Sequence, residues 1–332
     1  MTTLAPTETM NVNAALRAAL DEALAADPRV FLLGEDIADP AGGIAGVTAG
    51  LSTKHGRDRV LDTPISEAAI VGAAIGAAMD GQLPVAEIMI MDFIGIALDQ
   101  LVNVAAKARF TSGGRTPCPV TVRTATFGGL GSGATHSQSL EAWFMHVPGL
   151  KVIMPSTPAD AKGLLTAAIF DPDPCLFIET LATYGMTGEV PTGNHVVEIG
   201  TADIKRPGRD LTVITYGRAV FDALQAAEQL AADGIDVEVL DLRSLVPLDT
   251  EAVLESVGRT GRAVVAHYAT TFAGPGAELA ATISKELFGR LKAPVERVGA
   301  AFRPIPALSL DRIVLPNAKR IAAAVRKTVE YG

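Results

Sequence analysis

The 332-residue sequence predicts an α/β protein of two domains, the first built on a parallel sheet with helices on both faces. Three observations predict it. Short apolar runs alternate with longer helical patterns, the rhythm of βα units. The runs are almost continuously apolar, as in strands covered on both faces. The alternation breaks once, between about Tyr184 and Asp210, where Gly185, Gly188, Pro191, Gly193, Gly200, Pro207 and Gly208 mark a linker with one or two short strands. Residues 1–190 therefore read as one domain, 191–209 as the linker and 210–332 as the second domain.

In the first domain the candidate strands are Val30–Leu33, Pro84–Ile90, Pro119–Arg123, Lys151–Met154 and Cys175–Glu179. Helical patterns lie between them at Val12–Ala25, Ser66–Asp80, Ile94–Phe110 and Pro158–Phe170. The second domain alternates strands at Leu211–Tyr216, Val237–Leu240, Ala263–His267 and Val295–Val298 with helices at Ala219–Asp233, Thr250–Val257, Gly276–Leu287 and Asn317–Val329.

Composition excludes several classes. Net charge is −9 with no basic stripe, which argues against nucleic acid as a partner. No uncharged apolar run reaches the roughly 18–20 residues of a membrane span. Met1–Met10 has no Lys or Arg and no apolar core, so it does not read as a secretory signal. Cys118 and Cys175 lack metal-ligand spacing and read as buried free thiols in a reducing cytoplasm. With few aromatics and much Ala, the core is closely packed aliphatic, and part of the apolar surface is expected to face partner subunits.

Four segments can carry chemistry. In Asp62-Thr63-Pro64-Ile65-Ser66-Glu67, Ser66 is placed to cap a helix and Glu67 lies in its first turn. The plain reading is a cap and a carboxylate that complements the helix dipole. The surroundings are apolar and Ala68-Ala69-Ile70 offers no cation, so the carboxyl could instead share a proton with a ligand nitrogen. In Glu87–Gln100, Phe93 follows a strand end, where ligands gather in open α/β sheets. It is core, or it stacks on a flat heterocycle. Gly128–Gln138 (GGLGSGATHSQ) presents His136 after a glycine-rich loop, a candidate acid or base. It is neither a dinucleotide fingerprint nor a P-loop. Glu35-Asp36 follows the first strand, and Glu35 could line a cofactor site. No GxSxG or HExxH is present, nor GDG followed by a downstream Asn.

GEDIA (34–38), RVLDTPISEAAIVGAAIGAA (59–78), PVAEIMIMDF (84–93), DQLVNVAAKARF (99–110), HSQSLEAWFMHVPGLKVIMPSTPADAKGLL (136–165) and DLRSLVPLD (241–249) together resemble the β subunit of the thiamine diphosphate-dependent first component of 2-oxo acid dehydrogenases. The pyruvate, branched-chain and acetoin types all belong to that family. The resemblance runs from about residue 10 to the C-terminus and is looser after His267. It implies a pyrimidine-binding domain followed by a transketolase C-terminal-like domain.

It also implies roles. Glu67 matches the glutamate that hydrogen-bonds N1′ of the aminopyrimidine and drives proton removal from thiazolium C2. Phe93 matches the aromatic against that ring, with Ile65 and Glu35 as further cofactor contacts, and His136 matches an active-site histidine. Backbone carbonyls near Val120, Ala168, Asp171 and Asp173 match a structural potassium site. Magnesium and the diphosphate motif lie on the family's α subunit, so the missing GDG is what the resemblance implies. The expected assembly is an α2β2 heterotetramer that decarboxylates a 2-oxo acid, pyruvate first, and passes the acyl group to lipoamide on a docked dihydrolipoyl acyltransferase. Three departures are Thr135 for the usual Gln, His267-Tyr268 for the usual His-Glu, and SLDR (309–312) for an acidic Leu-Glu pattern. They leave room for two-carbon transfer to a carrier protein or aldehyde, or for acetoin cleavage. A non-catalytic scaffold is disfavoured because Glu67, Phe93 and His136 occur together.

Overall fold

The computed structural model describes residues 6–331; residues 1–5, half of the segment read as lacking a secretory signal, lie outside the described residues. Elements of the first part are β1 (Thr7–Asn11), α1 (Val12–Ala26), β2 (Val30–Glu35), α2 (Leu51–His55), β3 (Val60–Thr63), α3 (Glu67–Met79), β4 (Leu83–Ile90), α4 (Ala108–Thr111), β5 (Thr121–Thr126), α5 (Glu141–Met145), β6 (Lys151–Ile153), α6 (Pro158–Ile169), β7 (Cys175–Thr180) and β8 (Thr187–Pro191). There follow β9 (Asp203–Arg206), β10 (Leu211–Thr215), α7 (Ala219–Ala231), β11 (Val237–Asp241), β12 (Ser244–Val246), α8 (Thr250–Thr260), β13 (Ala263–Thr270), α9 (Pro275–Glu286), β14 (Glu296–Ala300), α10 (Asp311–Val314) and α11 (Ala318–Val329). The α/β expectation holds in both halves.

Two compact units result. The first comprises the chain up to Thr126 with Trp143–Ile199; the second comprises Phe127–Ala142 with the chain from Gly200 onward. A division into continuous stretches ending at 190 and beginning at 210 therefore misses one segment. Phe127–Ala142, which contains the glycine-rich loop, clusters with the second unit. The reason is local. Leu308 N–H donates to Gly131 C=O, and Gly131 N–H donates to the Asp311 carboxylate at 2.8 Å. Gly131 sits at φ +74°, and a Cβ there would lie 2.9 Å from Leu308 Cα, so only glycine fits. Glu141 accepts the Tyr216 hydroxyl at 2.8 Å in a fully buried pair.

In the first unit the parallel strands run β6-β7-β5-β4-β2-β3. Helix α1 buries Val12, Leu16, Leu20 and Leu24, an i, i+4 stripe, among residues that include α6's Leu164 and Leu165. Asn11 caps α1 by accepting Ala14 N–H, and Thr157 caps α6 by accepting Asp160 N–H. The linker reading splits. Its β8 pairs antiparallel with β1 in the first unit, and its β9 forms the antiparallel edge of the second sheet, ordered β14-β13-β10-β11-β9.

The expected helix Ile94–Phe110 is broken. A 3-10 stretch Met91–Ala97, a π turn Gln100–Val104, a 3-10 turn Ala105–Lys107 and α4 replace it. Gly95 and the β-branched Ile94, Ile96, Val102 and Val104 all disfavour regular α-helix. The Gln100 side chain also packs onto α3 where Gly72 leaves room: a Cβ at Gly72 would lie 3.3 Å from Gln100 Oε1.

Both cysteines are free and buried, and burial pushes the Cys118 thiol up to about 11. In the second unit, His267 is buried and uses both ring nitrogens. Nε2 accepts Gly276 N–H at 3.1 Å, so Nδ1 carries the proton and donates to Ala269 C=O at 3.1 Å. Burial holds this imidazole down, to about 4. Protonation below that would break the Gly276 bond. The unfolded chain takes its proton near pH 6.5, so stability is full above pH 6.5 and falls as pH drops toward 4. The span of roughly 2.5 units corresponds to ~3 kcal/mol. Acid unfolding of His267→Gln is expected to show a shallower loss over this window; an unchanged pH dependence would overturn this.

Candidate active site

The candidate residues of the first unit gather at the carboxyl ends of its parallel strands. Glu35 ends β2, opposite Thr63 at the end of the neighbouring β3. The turn Pro64-Ile65-Ser66 then leads straight into α3, whose first residue is Glu67. Ser66 occupies the N-cap position, but its side chain makes no capping bond, so the cap role expected of it is not realised. Glu67 stands at the positive end of the α3 dipole and is only 9% exposed. Ile65, beside it, is 73% exposed, an unusual position for a large apolar side chain.

Glu35 is half-buried, and three causes raise its carboxyl above the ordinary range: burial first, then the charges of Asp36 and Glu67. The last cause places Glu35 and Glu67 within electrostatic reach of each other. Phe93 lies half-buried in Met91–Ala97, directly past the end of β4, and that stretch packs on α3. Glu35, Ile65, Glu67 and Phe93 thus come from three adjacent strand ends, where open α/β sheets bind ligands. A buried carboxyl, an exposed aliphatic and an aromatic fit an aminopyrimidine: one edge to hydrogen-bond and two apolar surfaces to hold the ring.

His136 belongs to the second unit and is half-buried. Thr135 Oγ1 lies 3.0 Å from its Nδ1. The hydroxyl can donate to this nitrogen or accept from it, according to which ring nitrogen carries the proton. The departure at Thr135 therefore touches the histidine directly.

Val120, Ala168, Asp171 and Asp173 lie at the lower ends of β5 and β7 and the end of α6. Val120 C=O accepts Cys175 N–H at 2.9 Å, and Ala168 C=O accepts Asp171 N–H at 3.2 Å. The two carboxylates are taken by cations: Asp171 pairs with Lys151 and Asp173 with Arg109, each at 2.5 Å. Any monovalent ion here would be held by backbone carbonyls at the negative end of α6, where Ala168 C=O already accepts N–H groups from both Phe170 and Asp171. Among the described residues no group of three His, Cys, Asp or Glu could hold a metal ion.

One feature escaped sequence reasoning. Arg123 on β5 is fully buried between Glu87 on β4, at 2.8 Å, and Glu179 on β7, at 2.7 Å. Tyr184 donates its hydroxyl to Glu179, and Glu87 also accepts Ile44 N–H at 2.8 Å. Burial alone would lower the guanidinium's proton affinity, but Glu179 and Glu87 raise it. The available signal was a lone charge inside each of three apolar strands, which is costly unless paired.

The comparisons agree with this architecture. The family model for the transketolase pyrimidine-binding domain matches residues 8–186, and that for the transketolase C-terminal domain matches residues 200–321. The chain is 46% identical to the β subunit of acetoin:2,6-dichlorophenolindophenol oxidoreductase from Cupriavidus necator, covering 97% of this chain and 98% of that one. It is 44% identical to the 2-oxoisovalerate dehydrogenase β subunit of Bacillus subtilis, over 96% and 98%. It is 42% identical to the mitochondrial pyruvate dehydrogenase E1 component subunit beta-2 of Oryza sativa, over 96% and 86%. A solved split-gene transketolase shares the fold with a TM-score of 0.79 at 24% identity, over 97% and 99%. With a pyrimidine-binding and a C-terminal transketolase domain in series and relatives of this identity along nearly its full length, the chain belongs to the family of β subunits of thiamine diphosphate-dependent 2-oxo acid dehydrogenase first components.

Proposed function

We propose that the chain is the β half of an enzyme that oxidatively decarboxylates a 2-oxo acid, pyruvate first, and passes the acyl group to lipoamide. The reading is supported by Glu35 at the end of β2 and the buried Glu67 at the start of the helix that follows the neighbouring β3. Thiamine diphosphate supplies the electron sink for carbon–carbon cleavage. Glu67 holds and moves the proton at the pyrimidine edge; Glu35 lines the cofactor site; Ile65 and Phe93 support the ring and exclude water. His136 is the candidate proton donor to the reacting oxygen.

An α chain brings magnesium and the diphosphate contacts, in an α2β2 assembly. Exposed apolar side chains support such a partner: Ile96 is 58% and Phe110 86% exposed in the first unit. Potassium at the Val120, Ala168, Asp171 and Asp173 carbonyls is a structural part of the proposal. A lipoyl-bearing acyltransferase is the proposed acceptor. Co-purification with the α chain, followed by parallel assays of pyruvate, branched 2-oxo acids and acetoin with lipoamide, tests the reading. Turnover of none of the 2-oxo acids would sink it. Acetoin cleavage is the second reading, favoured by the relative named for acetoin at 46% identity.

Phe93→Ala is expected to weaken thiamine diphosphate about tenfold, the loss of an aromatic contact worth ~1.5 kcal/mol. The apparent cofactor affinity of the assembled enzyme checks it. An unchanged affinity would remove Phe93 from the site.

A further inference from the structure

A cavity of about 380 Å³ opens in the second unit, past the end of β10, beside β13 and at the start of α11. Two guanidiniums stand in its wall. Arg218 is half-buried and lies over the Tyr268 ring, 5.8 Å from its centroid; Arg312 is exposed at the rim. Asp222, the carboxylate in the wall, already accepts the Tyr268 hydroxyl at 2.8 Å. Asp222 also feels the Arg218 charge, so the wall's cationic balance rests on the second guanidinium, Arg312.

The backbone adds to it. Tyr216-Gly217-Arg218 turns from a parallel strand directly into α7, a 13-residue helix whose start carries no side-chain capping bond. Val220 and Phe221 N–H already donate to Gly217 and Arg218 C=O, so the helix start contributes its dipole, and a guanidinium fork adds bidentate contacts to a tetrahedral oxyanion. The volume is at the small end of ligand sites, more than one phosphate fills and suited to a compact phosphate ester.

We propose that this cavity binds the phosphate group of a small molecule, clasped between Arg218 and Arg312 at the start of α7. A Cβ at Gly129 would lie 3.6 Å from the Arg218 guanidinium carbon, so the ligand's main anchor also supports the beginning of the segment that presents His136. Two of the residues that set this chain apart from the family pattern, Tyr268 and Arg312, line the same cavity.

The test uses the full chain, purified with its α partner and saturated with thiamine diphosphate. Inorganic phosphate and glycerol 3-phosphate are titrated separately at constant ionic strength, with 31P line broadening as the readout. Saturable broadening is expected for both, tighter for the ester if the organic part fills the cavity, and tighter for inorganic phosphate if the free ion is the natural ligand. Arg218→Gln is expected to weaken binding at least tenfold. Arg312→Gln, at an exposed position that leaves the fold intact, is expected to weaken it several-fold. No saturable broadening with either probe, or broadening unchanged in both variants, overturns the proposal.

Discussion

Glu67→Gln in the assembled enzyme is expected to lower kcat by at least about 10²-fold while assembly and thiamine diphosphate binding persist. A positioned acid–base group contributes roughly 10²–10⁴-fold, and the amide keeps the shape but not the exchangeable proton. Glu67 opens α3 from a turn whose serine makes no capping bond, so its carboxyl is not needed to complete a capping arrangement. The helix should survive the change. Size-exclusion profile, cofactor affinity and turnover, measured together, separate the outcomes. Turnover within threefold of wild type would remove Glu67 from the chemistry.

Arg123→Leu is expected to destabilise the first unit by about 3–5 kcal/mol, because it leaves Glu87 and Glu179 buried without their shared cation. The loss should exceed that from any exposed ion pair, such as Arg326 with Asp233, where about 0–1 kcal/mol is usual. Replacing Arg123, Glu87 and Glu179 together by apolar residues of similar volume is expected to recover most of it. Urea unfolding of the single and triple variants checks both expectations. A single variant as stable as wild type would show that the pairing contributes nothing net.

The strands and most helices were legible in sequence because apolar periodicity is a local signal. β2, β4, β7 and α6 begin and end within one or two residues of where their runs do. The Met91–Thr111 stretch was not, because its helical pattern is overridden by contacts to α3 that no local window contains. Glu35, Ile65, Glu67 and Phe93 could be picked out by motif, yet only the parallel register of β2 and β3 shows that Glu35 ends its strand opposite Thr63, four residues before Glu67. Arg123 and its partners stayed hidden because pairing across three strands has no signature along the chain. The attachment of the His136 segment to the second unit was equally invisible, since it rests on residues 180 positions apart.

That attachment has a consequence for biosynthesis. Gly131 closes onto Leu308 and onto Asp311, which leaves the ribosome 180 residues after it. The histidine-bearing segment is thus made well before the residues that seat it. Until then it is a free tether whose ends belong to the first unit and whose binding surface does not yet exist, and a loop of this length must be closed against its own entropy before the segment settles. The seating of the His136 segment therefore depends on the chain as far as Asp311, so that a nascent or truncated chain ending before it lacks the Gly131 anchor even where the first unit's sheet has already folded.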